Sequence, residues 1–324
     1  MPIYPVNAVP RRCRANTVMP LSTTVIGSFP KPSFLNIPDW FDPTCTRDFS
    51  EKYTHFIETS VARKTEELIK KAVKETAQLQ ADAGLDVISD GEFRRENHMY
   101  YFCRKLTGFD FHNLCSKNIR REAATILAPR IVAEISTSGN ESWVWKEWKN
   151  SQDLFKELPM KITLPGPMTI TDSVVDQYYG DQKVLGEVLS KLINVEIKAL
   201  VSAGCNYIQD QVGYKKASKD GYFMLADRLD QAGFDQISIE DAHRHNDLSL
   251  FQHFKKSKIV LGSVKIACSR VESVEEIRNR LQEVLTVVPP DRLIVAPDCG
   301  LGFLPREIAK KKLCNMVQAA KSLP

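Results

Sequence analysis

The chain has 324 residues, 43% of them hydrophobic and 26% charged, a composition that supports a sizeable buried core. The formal net charge is +4, and Lys and Arg are interspersed with Asp and Glu throughout. That pattern excludes a nucleic-acid stripe and a polybasic membrane patch, and no apolar run reaches the length of a membrane helix or a signal-peptide core.

Residues 1–20 carry Arg11, Arg12 and Arg14 and no acidic residue. The segment reads as a flexible basic arm, with a mitochondrial transit peptide as the alternative to a cytosolic arm. Residues 21–324 read as one domain. The eight cysteines are widely spaced and form no CxxC, so free thiols in a reducing, cytoplasmic setting are expected rather than a disulfide framework.

From residue 23 onward, short β-rich runs alternate with longer helical patterns. The runs lie at 23–29, 86–92, 161–166, 206–210, 235–240, 259–265 and 292–298. Helical patterns occupy about 54–83, 182–203, 218–232, 272–286 and 305–321. The helix near 272 opens on Glu272, Ser273 and Glu275, residues suited to capping and to the helix dipole. Residues 96–156 are less regular and form an excursion after the second run. This alternation predicts an α/β fold with parallel strands. Seven runs rather than eight leave two architectures open: a (β/α) barrel short of one strand-helix unit, or an open doubly wound sheet. Only a few residues separate the fourth run from the next helix, where a barrel would place a fifth strand.

Polar residues gather at the C-terminal ends of the runs, where a barrel carries its chemistry. Asp298-Cys299-Gly300 presents a thiol that can ligate metal or serve as an ordinary buried cysteine. Glu240 suits a metal ligand, a base, or an ion pair with Arg244. His243 and His245 follow in a stretch that reads as a helix start, with exposed imidazoles. Glu92, in Asp90-Gly91-Glu92, suits binding of an amine or belongs to a charged loop. Ile26-Gly27-Ser28 suits binding of a carboxylate or ends a strand in a simple turn. No glycine spacing matches a P-loop or a dinucleotide fingerprint, so nucleotide cofactors are rejected.

In order, TTVIGSFPKP, SDGEFRREN, LPGPMTI, NYIQ, SIEDAHRHNDLSL and APDCGLG resemble the catalytic half of the cobalamin-independent methionine synthase family, over about residues 23–302. The resemblance implies a TIM (β/α)8-type barrel, related to uroporphyrinogen decarboxylase. It also implies methyl transfer to the sulfur of homocysteine, with a methyl-folate as the donor. Zinc is the implied cofactor, held by His, Cys, Glu and Cys, and it makes the substrate sulfur nucleophilic. Glu240 and Cys299 match two of those metal ligands. Ile26, Gly27 and Ser28 match the strand end that binds the amino-acid carboxylate, and Glu92 matches the group facing the amine. Asp210 falls near a substrate-binding aspartate, in a locally broken pattern.

Three departures stand out. The His-x-Cys end of the family's fifth strand is absent, and no histidine lies between His112 and His243. His243, His245 or Cys268 would have to move in to complete a zinc site. The family's amino-terminal half, which helps bind the folate tail, is absent. The histidine expected after the seventh strand is replaced by Gly262-Ser263-Val264-Lys265. Three expectations follow: a zinc-dependent thiol methyltransferase, a truncated form without catalysis, and a metal-free decarboxylase-like barrel.

Overall fold

The computed structural model describes residues 20–38, 40, 49–58, 61–119, 124–137, 142–211 and 219–323. The basic arm, apart from Pro20, lies outside them. In chain order the strands are β1 (Ser22–Thr23), β2 (Ile88–Ser89), β3 (Phe109–Ile119), β4 (Ala124–Ile131), β5 (Met160–Pro165), β6 (Val175–Asp176), β7 (Ile208–Gln211), β8 (Gln236–Ile239), β9 (Lys258–Gly262) and β10 (Leu293–Ala296). The helices are α1 (Phe49–Glu58), α2 (Val61–Asp82), α3 (Tyr100–Cys103), α4 (Val144–Leu154), α5 (Pro167–Ser173), α6 (Gln182–Ser202), α7 (Lys219–Gln231), α8 (Leu248–Phe251), α9 (Val274–Leu285) and α10 (Arg306–Lys321).

Seven of these strands form one parallel arc. One sheet runs β1-β10-β9-β8 and another β2-β5-β7. The parallel bridges Thr24↔Val87 and Ser28↔Gly91 join them through β1 and β2. The resulting order, β8-β9-β10-β1-β2-β5-β7, is that of a (β/α)8 barrel lacking its fifth strand. Each strand of the arc corresponds to one of the seven runs read from the sequence. Among the described residues, β7 and β8 are the two ends of the arc.

The two faces of the arc separate cleanly. Ile237, Ile239, Ile259, Leu261, Leu293 and Val295 point outward and pack with α9 and α10. Ile162 and Leu164 of β5 pack outward against Leu185 and Leu189 of α6. Each such fully buried aliphatic side chain contributes about 1.5–3 kcal/mol. Inside lies a small cluster of Ile26, Val260, Ile294 and Ala296. Ser238 is in register with Val260 and so faces inward with Gln236, yet both are exposed. A closed barrel would bury them, so their exposure marks where the arc is open.

Local chemistry sets the element ends. α2 buries Ile69, Ala72, Val73, Thr76, Ala77 and Gln80, the stripe of a helix packed on a sheet. Gln80 fixes β2 with a reciprocal pair of bonds: its Nε2 donates to the Ser89 carbonyl at 2.8 Å, and its Oε1 accepts from the Ser89 N–H at 3.0 Å. Ser273 caps α9 in a capping box completed by Glu276 rather than Glu275. Glu272, expected at the helix start, is instead buried and paired with Lys312 at 2.7 Å.

Two further expectations need correction. The stretch from Asp241 to Asp247 does not begin a helix; Asp247 caps α8, which starts at Leu248. The N–H groups of Asp241, Ala242 and His243 all bond to the Asp298 carboxylate, which holds them outside helical geometry. The excursion after β2 is also more regular than it reads. It contains α3, the antiparallel hairpin β3–β4 and α4, with β6 joining β4 in parallel. No helix among the described residues is long and apolar enough to cross a membrane.

Candidate functional site

The site starts at the end of β1. The Ser89 hydroxyl donates to the Gly27 carbonyl at 2.6 Å, and the Phe29 N–H donates to the Gly91 carbonyl at 3.1 Å. On the other side, the Leu301 N–H donates to the Ser28 carbonyl at 2.8 Å. Ile26-Gly27-Ser28 is therefore clamped between the segments following β2 and β10. Two glycines permit the approach. A Cβ at Gly27 would lie 2.3 Å from Glu92 Oε1, and one at Gly300 would lie 2.1 Å from Ser28 Oγ. These contacts bring Ser28, Glu92 and the Cys299-Gly300 turn to one end of the arc.

Glu92 is held in an unusual way. Its φ of 58° is left-handed, and it is the only non-glycine residue with positive φ among the described ones. Such a conformation costs about 1–3 kcal/mol and recurs at functional sites. The Asp90 carboxylate accepts from its N–H at 3.0 Å, which stabilises the turn. Its carboxylate accepts from the Thr163 hydroxyl at 2.5 Å and lies 3.3 Å from Arg95 Nη1 and 3.6 Å from His98 Nδ1. Arg95 in turn donates to the Thr163 hydroxyl at 2.7 Å and the Thr163 carbonyl at 2.9 Å. Burial pushes the Glu92 carboxyl up, but Arg95, His98 and Thr163 outweigh it and hold it at about 2. Glu92 is thus a fixed negative charge at neutral pH.

Arg95, His98 and Thr163 were not singled out from the sequence. The available signal was weak: Arg95 and His98 follow Glu92 closely in SDGEFRRENH, but their convergence depends on the turn at Glu92.

On the other flank, Glu240 follows β8 and Cys299 follows β10. Burial raises the Cys299 thiol, and the carboxylates of Glu240, Glu92 and Asp298 raise it further, against a bond from the Gly300 N–H. Those carboxylates therefore lie within electrostatic reach of the sulfur. His243 is a tethered group rather than a free imidazole. Its Nδ1 bonds to Asp298 at 2.5 Å, and its Nε2 accepts from the Ala267 N–H at 3.2 Å. With both nitrogens engaged, it cannot serve as a third metal ligand without breaking this loop. Cys268 is exposed. Among the described residues, no three His, Cys, Asp or Glu side chains are grouped to hold a metal ion. The residues present therefore do not fit a zinc centre with the usual three protein ligands.

Asp210 behaves differently from the rest. It is in register with Leu164, whereas Gln209 is in register with the inward-facing Thr163. Strand alternation turns Asp210 toward the helix side with Leu164, away from the face that carries Glu92. Burial raises its carboxyl to about 6, opposed by His98.

This geometry can be set beside known proteins. The family model described as "Cobalamin-independent synthase, Catalytic domain" matches residues 21–222 and 217–322. The chain belongs to this family. The two matched segments meet at 217–222, the same place where the strand order skips from β7 to β8. The chain is similar to the methionine synthase of Sulfolobus acidocaldarius, with 28% identity over 93% of this chain and 91% of that protein. It is equally similar to the methionine synthase of Pyrococcus furiosus, with 28% identity over 94% and 93%. Its fold is that of a B12-independent methionine synthase from Shewanella sp. W3-18-1, solved in complex with selenomethionine. That match has a TM-score of 0.76 and 24% identity, covering 94% of this chain and 97% of the other.

Proposed function

We propose that this chain binds a thiol-bearing amino acid, homocysteine, and that the reaction its site is built for is methyl transfer to the homocysteine sulfur. The observation that carries the reading is Glu92, a buried and permanently charged carboxylate beside the clamped Ile26-Gly27-Ser28 strand end. A fixed anion next to the half-buried Ser28 suits an ammonium and a carboxylate carried on the same carbon. The relatives named methionine synthase support that assignment. Ser28 and the strand end would orient the carboxylate, Glu92 would accept from the ammonium, and the ligand sulfur would point toward Cys299 and Glu240. A methyl-folate is the donor implied by the family, and the cytoplasm is the expected setting.

Zinc is the cofactor of the family, and by sequence resemblance Glu240 and Cys299 match two of its ligands. Among the described residues no third His, Cys, Asp or Glu is grouped with them, and two ligands do not make a zinc site, so no step is derived through the metal. This favours a second reading, in which the chain keeps the amino-acid site and has lost the chemistry.

The test compares this chain with one carrying an inserted strand-helix unit, on the order of 40 residues with a His-x-Cys strand end, between Asp210 and Ser218. Homocysteine binding by calorimetry, zinc content and methylation by a methyl-folate are measured on both. Binding by both chains, with zinc and turnover only in the restored one, supports the second reading. Zinc and turnover in both supports the first. Absence of homocysteine binding in both refutes the assignment of Ile26, Gly27, Ser28 and Glu92.

A further inference from the structure

The ladder between β1 and β2 breaks where the proposed ligand site begins. It is in register at both ends, through the bridges Thr24↔Val87 and Ser28↔Gly91. Near its start the Val87 N–H donates to the Thr23 carbonyl at 3.3 Å. Two residues further along, a parallel ladder would have the Ser89 N–H donate to the Val25 carbonyl. Instead the Ser89 N–H donates to Gln80 Oε1 of α2 at 3.0 Å. The Val25 carbonyl accepts from Lys161 Nζ, with a longer bond of 3.3 Å from the Thr24 hydroxyl. Next along the strand, the Ser89 hydroxyl donates to the Gly27 carbonyl at 2.6 Å. Side chains thus replace the ladder along the stretch that leads into Ile26-Gly27-Ser28.

Lys161 is buried on β5, in register with Ser89 of β2. Strand alternation puts it on the inner face with Thr163, two residues on. Its Nζ also donates to Gln209 Oε1 of β7 at 3.0 Å. One side chain therefore reaches past β2 to the chain after β1 while it is tethered to β7. The inner row of β5 serves both halves of the proposed amino-acid site. The Thr163 hydroxyl donates to Glu92, and Lys161 holds the chain that runs into Ile26-Gly27-Ser28. The two halves are close: a Cβ at Gly27 would lie 3.0 Å from Thr163 Cγ2 and 2.3 Å from Glu92 Oε1. Burial lowers Lys161 to about 7. An amine keeps two N–H groups when it loses its proton, so both bonds hold on either side of neutrality. An ordinary ladder bond would close the same gap without burying an amine, which costs the folded state. That trade suits a residue kept for where it puts the Val25 carbonyl.

We infer that Lys161 is a positioning residue of the amino-acid site: its Nζ, through the Val25 carbonyl, sets Ile26-Gly27-Ser28 to receive the ligand carboxylate, as Thr163 sets Glu92 to receive the ammonium. The role rests on the proposed function, which places the carboxylate at that strand end. Lys161 makes no ligand contact in this role and acts only by fixing the strand. Its loss should therefore be felt by the ligand carboxylate and not by the ammonium or the thiol. The test needs binding only, not turnover.

The full parent chain is compared with Lys161→Met, which keeps a long side chain and removes the donors. Calorimetry follows homocysteine and its decarboxylated analogue, aminopropanethiol, which retains the amine and the thiol. Lys161→Met should weaken homocysteine about five- to tenfold, the effect of one lost hydrogen bond, and leave aminopropanethiol unchanged. Without ligand, hydrogen exchange should quicken at the Phe29 and Leu301 amides, which bond to the Gly91 and Ser28 carbonyls beside the strand end, and not at the amides of β9. Gln209→Leu removes the tether and leaves Lys161 in place. It should show the same ligand pattern with a smaller loss, and it carries the test should Lys161→Met not fold. Equal weakening of both ligands would make Lys161 a support of the fold alone and would overturn the inference. So would full homocysteine affinity in the variant, or unchanged exchange at Phe29 and Leu301. Failure of the parent to bind homocysteine is a different result, which overturns the proposed function and this role with it.

Discussion

Replacing Glu92 by Gln removes a charge and keeps the shape, so it isolates the electrostatic contribution of the site. The Glu92 carboxyl falls from an ordinary 4.5 to about 2 in the folded chain. That difference corresponds to about 3 kcal/mol of stability at neutral pH. The sign follows from the depressed value. The contribution is complete above about 4.5 and disappears as pH falls through about 2, because below that the carboxyl is protonated in both states. At pH 3 the same relation leaves about 1.4 kcal/mol. Gln at position 92 inherits the left-handed φ, so the strain cancels between the two proteins. Urea unfolding of the parent and Glu92→Gln chains at pH 7, 4 and 3 should show a gap of about 3 kcal/mol that narrows steadily. A gap that stays constant with pH would mean that packing, not charge, holds Glu92, and the reading of Arg95, His98 and Thr163 as its electrostatic clamp would fail.

Other groups make separate predictions. Lys161 is buried, with its Nζ donating to the Val25 carbonyl and, at 3.0 Å, to Gln209 Oε1, and burial lowers it to about 7. Protonating it costs the folded state, a cost that grows as pH falls from about 10.5 to 7 and is constant below. Lys161→Met should therefore raise the melting temperature at pH 6 relative to the parent by more than it does at pH 10. Burial raises the Asp210 carboxyl to about 6, so its ionisation penalises the folded state by an amount that grows from about pH 3.8 to 6 and is constant above. Asp210→Asn should be more stable than the parent at pH 7.5 and equal to it near pH 3.5, measured by thermal denaturation. Cys299 is half-buried with a raised thiol, whereas Cys268 is exposed. Iodoacetamide at pH 7 should label Cys268 well before Cys299 by mass spectrometry, and Glu240→Gln should speed labelling of Cys299.

The scaffold was readable because its strands are apolar runs that end in turn residues, and all seven runs correspond to strands of the arc. The hairpin β3–β4 was not, since FDFHNLCSKNI alternates poorly and its register shifts between Asp110 and Cys115. The candidate site was legible where chemistry sits at a strand end, as with Ser28, Glu92 and Cys299. It was not legible where it depends on the reach of side chains across strands. Thr163 looks like a strand residue, and only its inward face on β5 places it against Glu92. His243 is exposed as the sequence suggested, but nothing local shows that the Asp298 carboxylate, 55 residues away, holds its ring. Asp210 shows the limit of motif matching most directly: a position one residue off along a strand lies on the opposite face.

The strand order relates the proposed amino-acid residues to the place where the arc is open. Ser28, Glu92, Glu240 and Cys299 come from strands or strand ends that lie along one continuous stretch of the arc, from β8 through β9, β10 and β1 to β2. Every neighbour in that stretch is paired, so the amino-acid end of the site is supported on both sides. Relative to a (β/α)8 barrel, the fifth strand would fall between β7 and β8, the two ends of the arc among the described residues. Near that place Gln236 and Ser238 on the inner face are exposed, as are Met224 and Leu225 of α7 and Phe234 before β8. The residues proposed for the amino acid and those matching the family's metal ligands therefore sit on different strands, Ser28 and Glu92 after β1 and β2, Glu240 and Cys299 after β8 and β10. An insertion at the gap should change the second while leaving Glu92, Arg95 and Thr163 where they are.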